Sequence, residues 1–317
     1  MIVTLTANPS IDRTVTLSGK LVPGGVHRIV EDRTQPGGKG INVALGVHRA
    51  GLPVSAVFQA RSDDPLVNLL KKAELPYRNS PVSGPVRTNL TIVGGNVTTK
   101  INEPGTQLTA AECEALEEAL MAAISPTDTI MLSGSLAPGF PADEYARLVR
   151  RIRPVGAWIG VDTSDEPLAA LAEHLGDSAP DFVKPNADEL GQLTGHDGGA
   201  IEDAVTRGDF SEIHDAVQWL RSRGVSEVLV TLGGAGAVLA TAEGTWYAPS
   251  PNVRVVSTVG AGDSATAGYI IARAAKRDAP ERLALATAYG AAAVSMPGTT
   301  IPSPQDVHPD FAAVRSI

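Results

Sequence analysis

Short apolar runs recur along this chain. Most are followed by a polar or glycine-bearing segment, then by a stretch with apolar positions three or four apart. Ile2–Thr6, Val54–Ala60, Thr129–Leu132, Ala157–Val161, Phe182-Val183 and Glu227–Thr231 read as strands. Helices are predicted from Pro36-Gly37-Gly38-Lys39 to about Ala50, over Leu66–Ala73, from about Ala142, near Asp188 and over Ser264–Lys276. Strands alternating with helices imply parallel pairing through right-handed crossovers, so the expected fold is α/β: a doubly wound, mostly parallel sheet flanked by helices. Two segments follow a period of two instead. Residues 13–34, around Pro23-Gly24-Gly25, and 87–101, around Gly94-Gly95-Asn96, are predicted hairpins outside the main sheet. They are expected to form a small β lid on a single domain spanning 1–317. Three further expectations are a strand end over Asn252–Val256, a surface insertion from His196 to Asp209 and a peripheral terminal helix over Asp306–Ser316.

With 317 residues, 43% hydrophobic, the chain has enough material for a large core. A net charge of −9 without any basic run argues against nucleic acid as a partner. No apolar run approaches bilayer length and the first residues read as a strand, so the expectation is cytoplasmic with no membrane partner. A single cysteine excludes intramolecular disulfides and thiolate metal clusters. Cys113 shares a helix face with Leu116, Leu120 and Ile124 behind a Thr109-x-x-Glu112 capping box, which makes it a core residue.

Most polar and glycine-rich motifs fall just after a strand, the edge at which open α/β sheets bind ligands. In Thr258-Val-Gly-Ala-Gly-Asp263, the glycines let the amides of Gly260, Ala261 and Gly262 converge at a helix start, which favours an anion. A carboxylate beside an anion hole repels phosphate, but it suits a base that deprotonates an attacking hydroxyl; a turn followed by an acidic first helical residue is the plainer alternative for Asp263. Gly37-Gly38-Lys39-Gly40 opens a second helix. It is not a Walker P-loop, because Arg33 stands where that motif needs its first glycine and Gly40 where it needs Ser or Thr. Lys39 reads as a ligand contact or a solvated charge, Arg87 as a phosphate contact or an exposed arginine, and Asp12 as a hydroxyl contact or a turn residue. Gly233-Gly234-Ala235-Gly236 lacks the spacing of a dinucleotide fingerprint.

Six motifs in order carry a resemblance: Asn8-Pro-Ser-Ile-Asp12, Gly37-Gly-Lys-Gly-Ile-Asn42, Ser133-Gly-Ser-Leu-Ala-Pro-Gly139, Lys184-Pro-Asn-Ala-Asp-Glu189, Thr231-Leu-Gly-Gly-Ala-Gly236 and Thr258-Val-Gly-Ala-Gly-Asp263. The chain resembles the ribokinase-like (PfkB) carbohydrate kinases from Ile2 to about Gly298, and within them the branch acting on phosphorylated ketohexoses. The resemblance implies ATP-dependent phosphorylation of a ketohexose phosphate, with fructose 1-phosphate first and tagatose 6-phosphate or fructose 6-phosphate as alternatives. It implies Asp263 as the base and Gly260, Ala261 and Gly262 as the anion hole. Asp12, Gly37, Gly38, Asn42 and Ser135 would face the sugar, while Lys39 and Arg87 would hold its phosphate. Lys184, Asn186, Thr231, Gly233, Gly236, Ser257 and Gly262 would border ATP, and Glu189 would organise Mg²⁺ through water. The lid would also join a homodimer. Two departures stand out: Ser257-Thr258 replaces the Asp-Thr of many members, and Val26 stands where some relatives bring a lid lysine, leaving the phosphate grip to Arg28 or to Arg87 alone. A non-catalytic sugar-phosphate or nucleotide sensor on the same fold is the reading from a different class, which Asp263 and Glu189 argue against. A nucleoside kinase is a third, which Lys39 and Arg87 fit poorly.

Overall fold

The computed structural model describes residues 1–95, 97–309 and 313–317. Its main sheet has ten strands, and seven of them are parallel: β1 (Ile2–Thr6), β4 (Val54–Gln59), β5 (Tyr77–Ser80), β8 (Thr129–Ser133), β9 (Trp158–Asp162), β10 (Phe182–Val183) and β11 (Glu227–Thr231). An antiparallel tail of β12 (Ala237–Thr241), β13 (Gly244–Ala248) and β14 (Arg315–Ser316) extends one edge, giving the order β14-β13-β12-β11-β10-β9-β8-β1-β4-β5. From β1 the chain goes first to β4 and β5 on one side, then to β8 on the other. That reversal makes the crevice beside β1 the natural ligand edge.

Alternate residues of the parallel strands face opposite ways, and each face is apolar because helices cover both. On one side Val228 and Val230 of β11 and Ile130 and Leu132 of β8 join a core closed by α3 (Ala110–Met121), α4 (Glu144–Ile152), α5 (Asp165–Glu173), α6 (Leu175–Ser178), α7 (Ala187–Thr194), α8 (Gly198–Thr206) and α9 (Ser211–Ser222). On the other, Leu229 and Met131 pack under α1 (Lys39–Arg49), α2 (Pro65–Lys72), α10 (Ala261–Ala274) and α11 (Ala279–Val294). Cys113 is buried, and the Thr109–Glu112 capping box forms as expected. No helix among the described residues is long and apolar enough to cross a membrane.

Both expected hairpins form. β2 (Ser10–Leu17) pairs antiparallel with β3 (Ile29–Gly37), and β6 (Arg87–Gly94) with β7 (Val97–Asn102). Parallel pairing of β2 with β6 joins them into one small sheet, order β3-β2-β6-β7, with most of β3 and β7 exposed; Asn96 of the second turn lies outside the described residues.

Three expectations are corrected. His196–Asp209 is not a surface insertion: it contains α8, whose Ile201 is fully buried, because its apolar residues recur at helical spacing among polar neighbours. Residues 252–256 form no strand, and Val255 and Val256 are exposed, so their alternation meets no partner strand. In place of a terminal helix, Pro304–Asp306 makes a single 3₁₀ turn and Arg315–Ser316 pairs with β13; residues 310–312 of that expectation lie outside the described residues.

The third glycine of the Gly-Gly-Lys-Gly stretch serves packing. A Cβ on Gly40 would lie 2.4 Å from the Leu5 carbonyl oxygen and 2.5 Å from Thr6 Oγ1, so α1 rests directly on β1. Glycine-to-alanine in a helix ordinarily stabilises by about 0.5–1 kcal/mol. Here overpacking by about 1–3 kcal/mol should outweigh it. Gly40→Ala is therefore expected to lower the urea midpoint, and a raised midpoint would show that α1 does not press on the strand.

Candidate active site

Two helices at the carboxyl edge of the sheet begin after a glycine, which offers no side chain to cap them. α1 starts after Gly38 (φ 107) and α10 after Gly260 (φ 77), backbone angles that favour glycine. The first amides of an α-helix have no intrahelical acceptor, and the macrodipole adds positive character there, so both ends suit anions. The two helices cross closely, since a Cβ on Gly46 would come within 2.6 Å of the Ala267 Cβ. One turn into α1, Asn42 donates from Nδ2 to Asp263 Oδ2 at 2.8 Å, tying the two starts together. Asn42 Oδ1 is buried and without a protein partner.

Behind this pair lies a buried carboxylate that the sequence did not single out. Asp162, the last residue of β9, is 0% exposed and lies between two lysines. Lys39 Nζ donates to its Oδ1 at 2.9 Å, and Lys184 Nζ stands 3.5 Å from its Oδ2. Burial alone would push the Asp162 carboxyl up, but Lys184 and Lys39 together hold it below its ordinary value. Burial likewise works against the Lys39 ammonium, and Asp162, Glu189 and Asp263 overcome it, raising its pKa. Lys184 also reaches the start of α10: a Cβ on Gly262 would be 3.3 Å from its Nζ. Thr266 donates its hydroxyl to the Gly262 carbonyl at 3.1 Å and lies 3.5 Å from Asp162. The only sequence signal for Asp162 was its place at the polar end of a strand.

Asp263 titrates in this setting. Burial, then the charge of Asp162, push its carboxyl up to about 6 against the opposing pull of Lys39, Asn42 and Lys184. A carboxylate with that pKa, beside an uncapped helix start and a lysine, combines a proton acceptor for a hydroxyl with a cradle for an anion.

A second group lies under the small sheet. Asp12 accepts from Ser10 Oγ at 2.8 Å, Asn89 Nδ2 at 3.1 Å and Thr299 Oγ1 at 3.2 Å. Gly37 leaves it room, since a Cβ there would lie 2.3 Å from the Asp12 carboxyl carbon. Arg87 donates to the carbonyl oxygens of Glu103 (3.1 Å) and Asn8 (3.2 Å) and lies 3.4 Å from Ser135 Oγ; its Nε is buried without a partner. Asn8 itself donates to Pro104 and Leu136 carbonyls and to Ser135 Oγ. Lys39 and Arg87, expected to hold one phosphate, have different partners within the protein, although both border the Gly134-Ser135 loop. Lys39 sits on the first turn of α1 and turns to Asp162, while Arg87 on β6 turns to the loops after β1 and β8. Sequence reasoning also missed Asn89 and Thr299, because only the fold brings either near Asp12.

The third group follows β10 and β11. Asn186 and Glu189 form a reciprocal capping box at the start of α7, which commits one of the Glu189 oxygens to the Asn186 amide. Its other oxygen is 3.8 Å from Lys39 Nζ and faces the Asp162 cluster. Thr231 bridges to Asn186, Gly233 opens a 3₁₀ turn, and Gly236 (φ 100) closes it. Ser257 Oγ accepts from the Val259 amide at 3.3 Å. Among the described residues no group of three or more His, Cys, Asp or Glu side chains could hold a metal ion. A lone carboxylate with one oxygen committed to a cap fits a cation carried mainly by a ligand's phosphates and reached through water.

The chain matches the family model described as pfkB family carbohydrate kinase over residues 5–306. It is 34% identical to a 1-phosphofructokinase of Xanthomonas campestris pv. campestris, over 98% of this chain and 96% of that one. A 1-phosphofructokinase of Haloferax volcanii is 32% identical over the full length of both. Among solved structures, phosphofructokinase-2 from Escherichia coli in complex with substrates and products superposes with a TM-score of 0.86 at 29% identity, covering 96% of each chain. The tetrameric inhibited form of that enzyme gives 0.82 at 28% identity, covering 94% of this chain and 95% of that one. The fold is therefore the ribokinase-like α/β fold expected from the sequence motifs.

The raised Asp263 pKa has a consequence for stability. Between the ordinary carboxyl value of 3.8 and about 6 the native state holds a proton that the unfolded chain has released, so stability falls as pH rises through that window. Asp263→Asn, which cannot ionise, should therefore gain thermal stability relative to the native sequence as pH rises from 4 to 7, levelling off above. The gain is at most about 3 kcal/mol. Melting curves at pH 4, 5.5 and 7.5 test this. A difference that stays constant, or shrinks with pH, would contradict the assigned environment.

Proposed function

Because this chain belongs to the pfkB family of carbohydrate kinases, we propose that it transfers the γ-phosphoryl group of ATP to the 6-hydroxyl of fructose 1-phosphate, giving fructose 1,6-bisphosphate. The observation that carries this reading is the buried Asp263 carboxyl, raised to about 6, at the uncapped start of α10. In this account Asp263 accepts the proton of the sugar hydroxyl, and the freed oxygen attacks the phosphoryl held over Gly260, Ala261 and Gly262. Lys184, beside Gly262, neutralises charge that develops on the transferring group. Lys39 does the same from α1 and keeps Asp162 ionised, so that Asp263 remains the residue that titrates. Asn42 orients Asp263 through its Nδ2 and offers Oδ1 to a sugar hydroxyl.

The nucleotide is assigned to the stretch after β10 and β11, bordered by Asn186, Thr231, Gly233, Gly236 and Ser257. Mg²⁺ on the nucleotide phosphates would neutralise their charge, with Glu189 meeting its water shell. The sugar is assigned to the crevice under the small sheet, between Asp12, Gly38, Asn42 and Ser135. Its phosphate is assigned to Arg87, whose Nε has no protein partner. The small sheet serves as a lid on a single domain of 1–317, and its exposed β3 and β7 edges are the proposed contact of a homodimer. An ATP-dependent enzyme of this kind belongs in the cytoplasm. A monomer by light scattering at assay concentration would remove the dimer.

A second substrate is favoured by one observation. The likeness to phosphofructokinase-2 from Escherichia coli supports fructose 6-phosphate, and a ketofuranose can enter the clamp in either direction because it carries a hydroxymethyl group on each side of its ring oxygen. Tagatose 6-phosphate would bind the same way.

The division between Arg87 and Lys39 is testable with one panel: fructose 1-phosphate, fructose 6-phosphate, tagatose 6-phosphate and fructose. Arg87→Ala should cost about ten- to a hundredfold in kcat/KM for the preferred phosphosugar, the worth of one charge-assisted contact, and much less for fructose. Lys39→Ala should lower kcat for all four by a similar factor, because it acts on the transferring group. Fructose 1-phosphate should give the highest wild-type value. If Arg87→Ala affects fructose as strongly as the phosphosugars, the phosphate assignment is wrong.

A further inference from the structure

A second cavity opens at the opposite edge of the main sheet, where β1, β8 and β11 begin. It is open to solvent, with a volume of about 630 Å³, within the usual range of small-molecule sites. Four cationic side chains line it: Arg273 in the last turn of α10, Lys276 and Arg277 just beyond it, and Arg282 near the start of α11. The one carboxylate in the lining, Glu227, is already engaged. It accepts from Tyr269 Oη at 2.6 Å and from Arg282 Nη1 at 2.5 Å.

The other three cations are only weakly neutralised. Arg273 stands 3.9 Å from Glu227, lies over the Trp158 ring at 4.0 Å and makes one hydrogen bond, 3.3 Å to Thr129 Oγ1. Its burial outweighs its nearby negative charges and lowers its pKa. Arg277 has an exposed partner, Glu281, at 3.0 Å. Lys276 is exposed at φ 57, in a turn fixed by bonds from its amide to the Arg273 carbonyl and from the Arg277 amide to the Ala272 carbonyl. Cations at the end of α10 complement that helix's dipole, but Arg282 lies near the positive end of α11, where the dipole works against it. These side chains make a net-positive patch on a chain whose net charge is −9, a place where an anion is electrostatically favoured.

We propose that this cavity binds a small molecule carrying a phosphate group, at a site separate from the active site. The cations take the phosphate, Thr127 and Thr129 offer hydroxyls, and the apolar wall of Ile2, Leu52 and Pro53 receives the remainder of the ligand. α10 links the two sites physically, with Arg273 near its carboxyl end and Asp263 in its first turn.

The test is a calorimetric titration with inorganic pyrophosphate of the full chain and of the double variant Lys276→Asn/Arg277→Gln. Asparagine tolerates the left-handed backbone at 276, and both positions are exposed, so the variant should keep its basal kcat. The native chain should bind one more pyrophosphate than the variant, whose remaining binding belongs to the active site. Equal stoichiometry and affinity in the two proteins would overturn the proposal. Repeating the pair of titrations with AMP and with glucose 6-phosphate shows whether the cavity prefers a nucleotide or a sugar on the phosphate.

Discussion

A carboxylate taken fully out of water must be paired, and Asp162 is paired twice, with Lys39 and Lys184. That requirement organises the carboxyl edge of the sheet. It draws the first turn of α1 toward the end of β9, and it holds the side chain following β10 beside the start of α10. Breaking such a pair from one side leaves an uncompensated buried charge, which typically costs about 3–5 kcal/mol. The cluster is therefore expected to stay assembled without substrate, with its cations already aimed at the place where phosphoryl charge develops. Fixing charges in advance is what makes electrostatic stabilisation of a transition state effective.

The same cluster explains why the two buried aspartates behave differently. Both are desolvated. Asp162 meets two ammonium groups at close range and stays ionised, whereas Asp263 meets an amide from Asn42 and feels Asp162 as a like charge. Their pKa values are pushed apart, one below the ordinary range and one up to about 6. Separation of that kind divides structural from proton-accepting roles between two chemically identical groups. A sugar kinase gains from it, because its base must be ionised near neutrality yet basic enough to draw a proton from a hydroxyl.

Much of this was legible in the sequence, for identifiable reasons. The parallel core announced itself through apolar strand runs followed by polar or glycine-rich segments, and the two hairpins through their alternation. Asp263, Asn42 and Glu189 stood out because their motifs mark helix starts. Asp162 did not, because a single aspartate at a strand end looks the same whether it is exposed or buried between lysines from 123 positions before and 22 after. Asn89 and Thr299 were illegible for the same reason: Thr299 reaches Asp12 across 287 positions. The bond from Lys39 to Asp162 was not legible because glycines around a lysine signal close approach to something, without saying what. α8 was read as an insertion because polar and glycine residues dominate its surface, while Ile201, Ala204 and Val205 make its buried face.

The central claim is that Asp263 is a buried carboxyl whose pKa is raised by desolvation and by the charge of Asp162. The direct measurement is a pH titration of the Asp263 side-chain carboxyl by carbon-13 NMR, in the native sequence and in Asp162→Asn. The account predicts a midpoint near 6 in the native protein. It predicts a clearly lower one in the variant, where the repelling charge is gone and Lys39 and Lys184 are left to attract Asp263. A native midpoint near 4, or one that does not fall when Asp162 is neutralised, would contradict it.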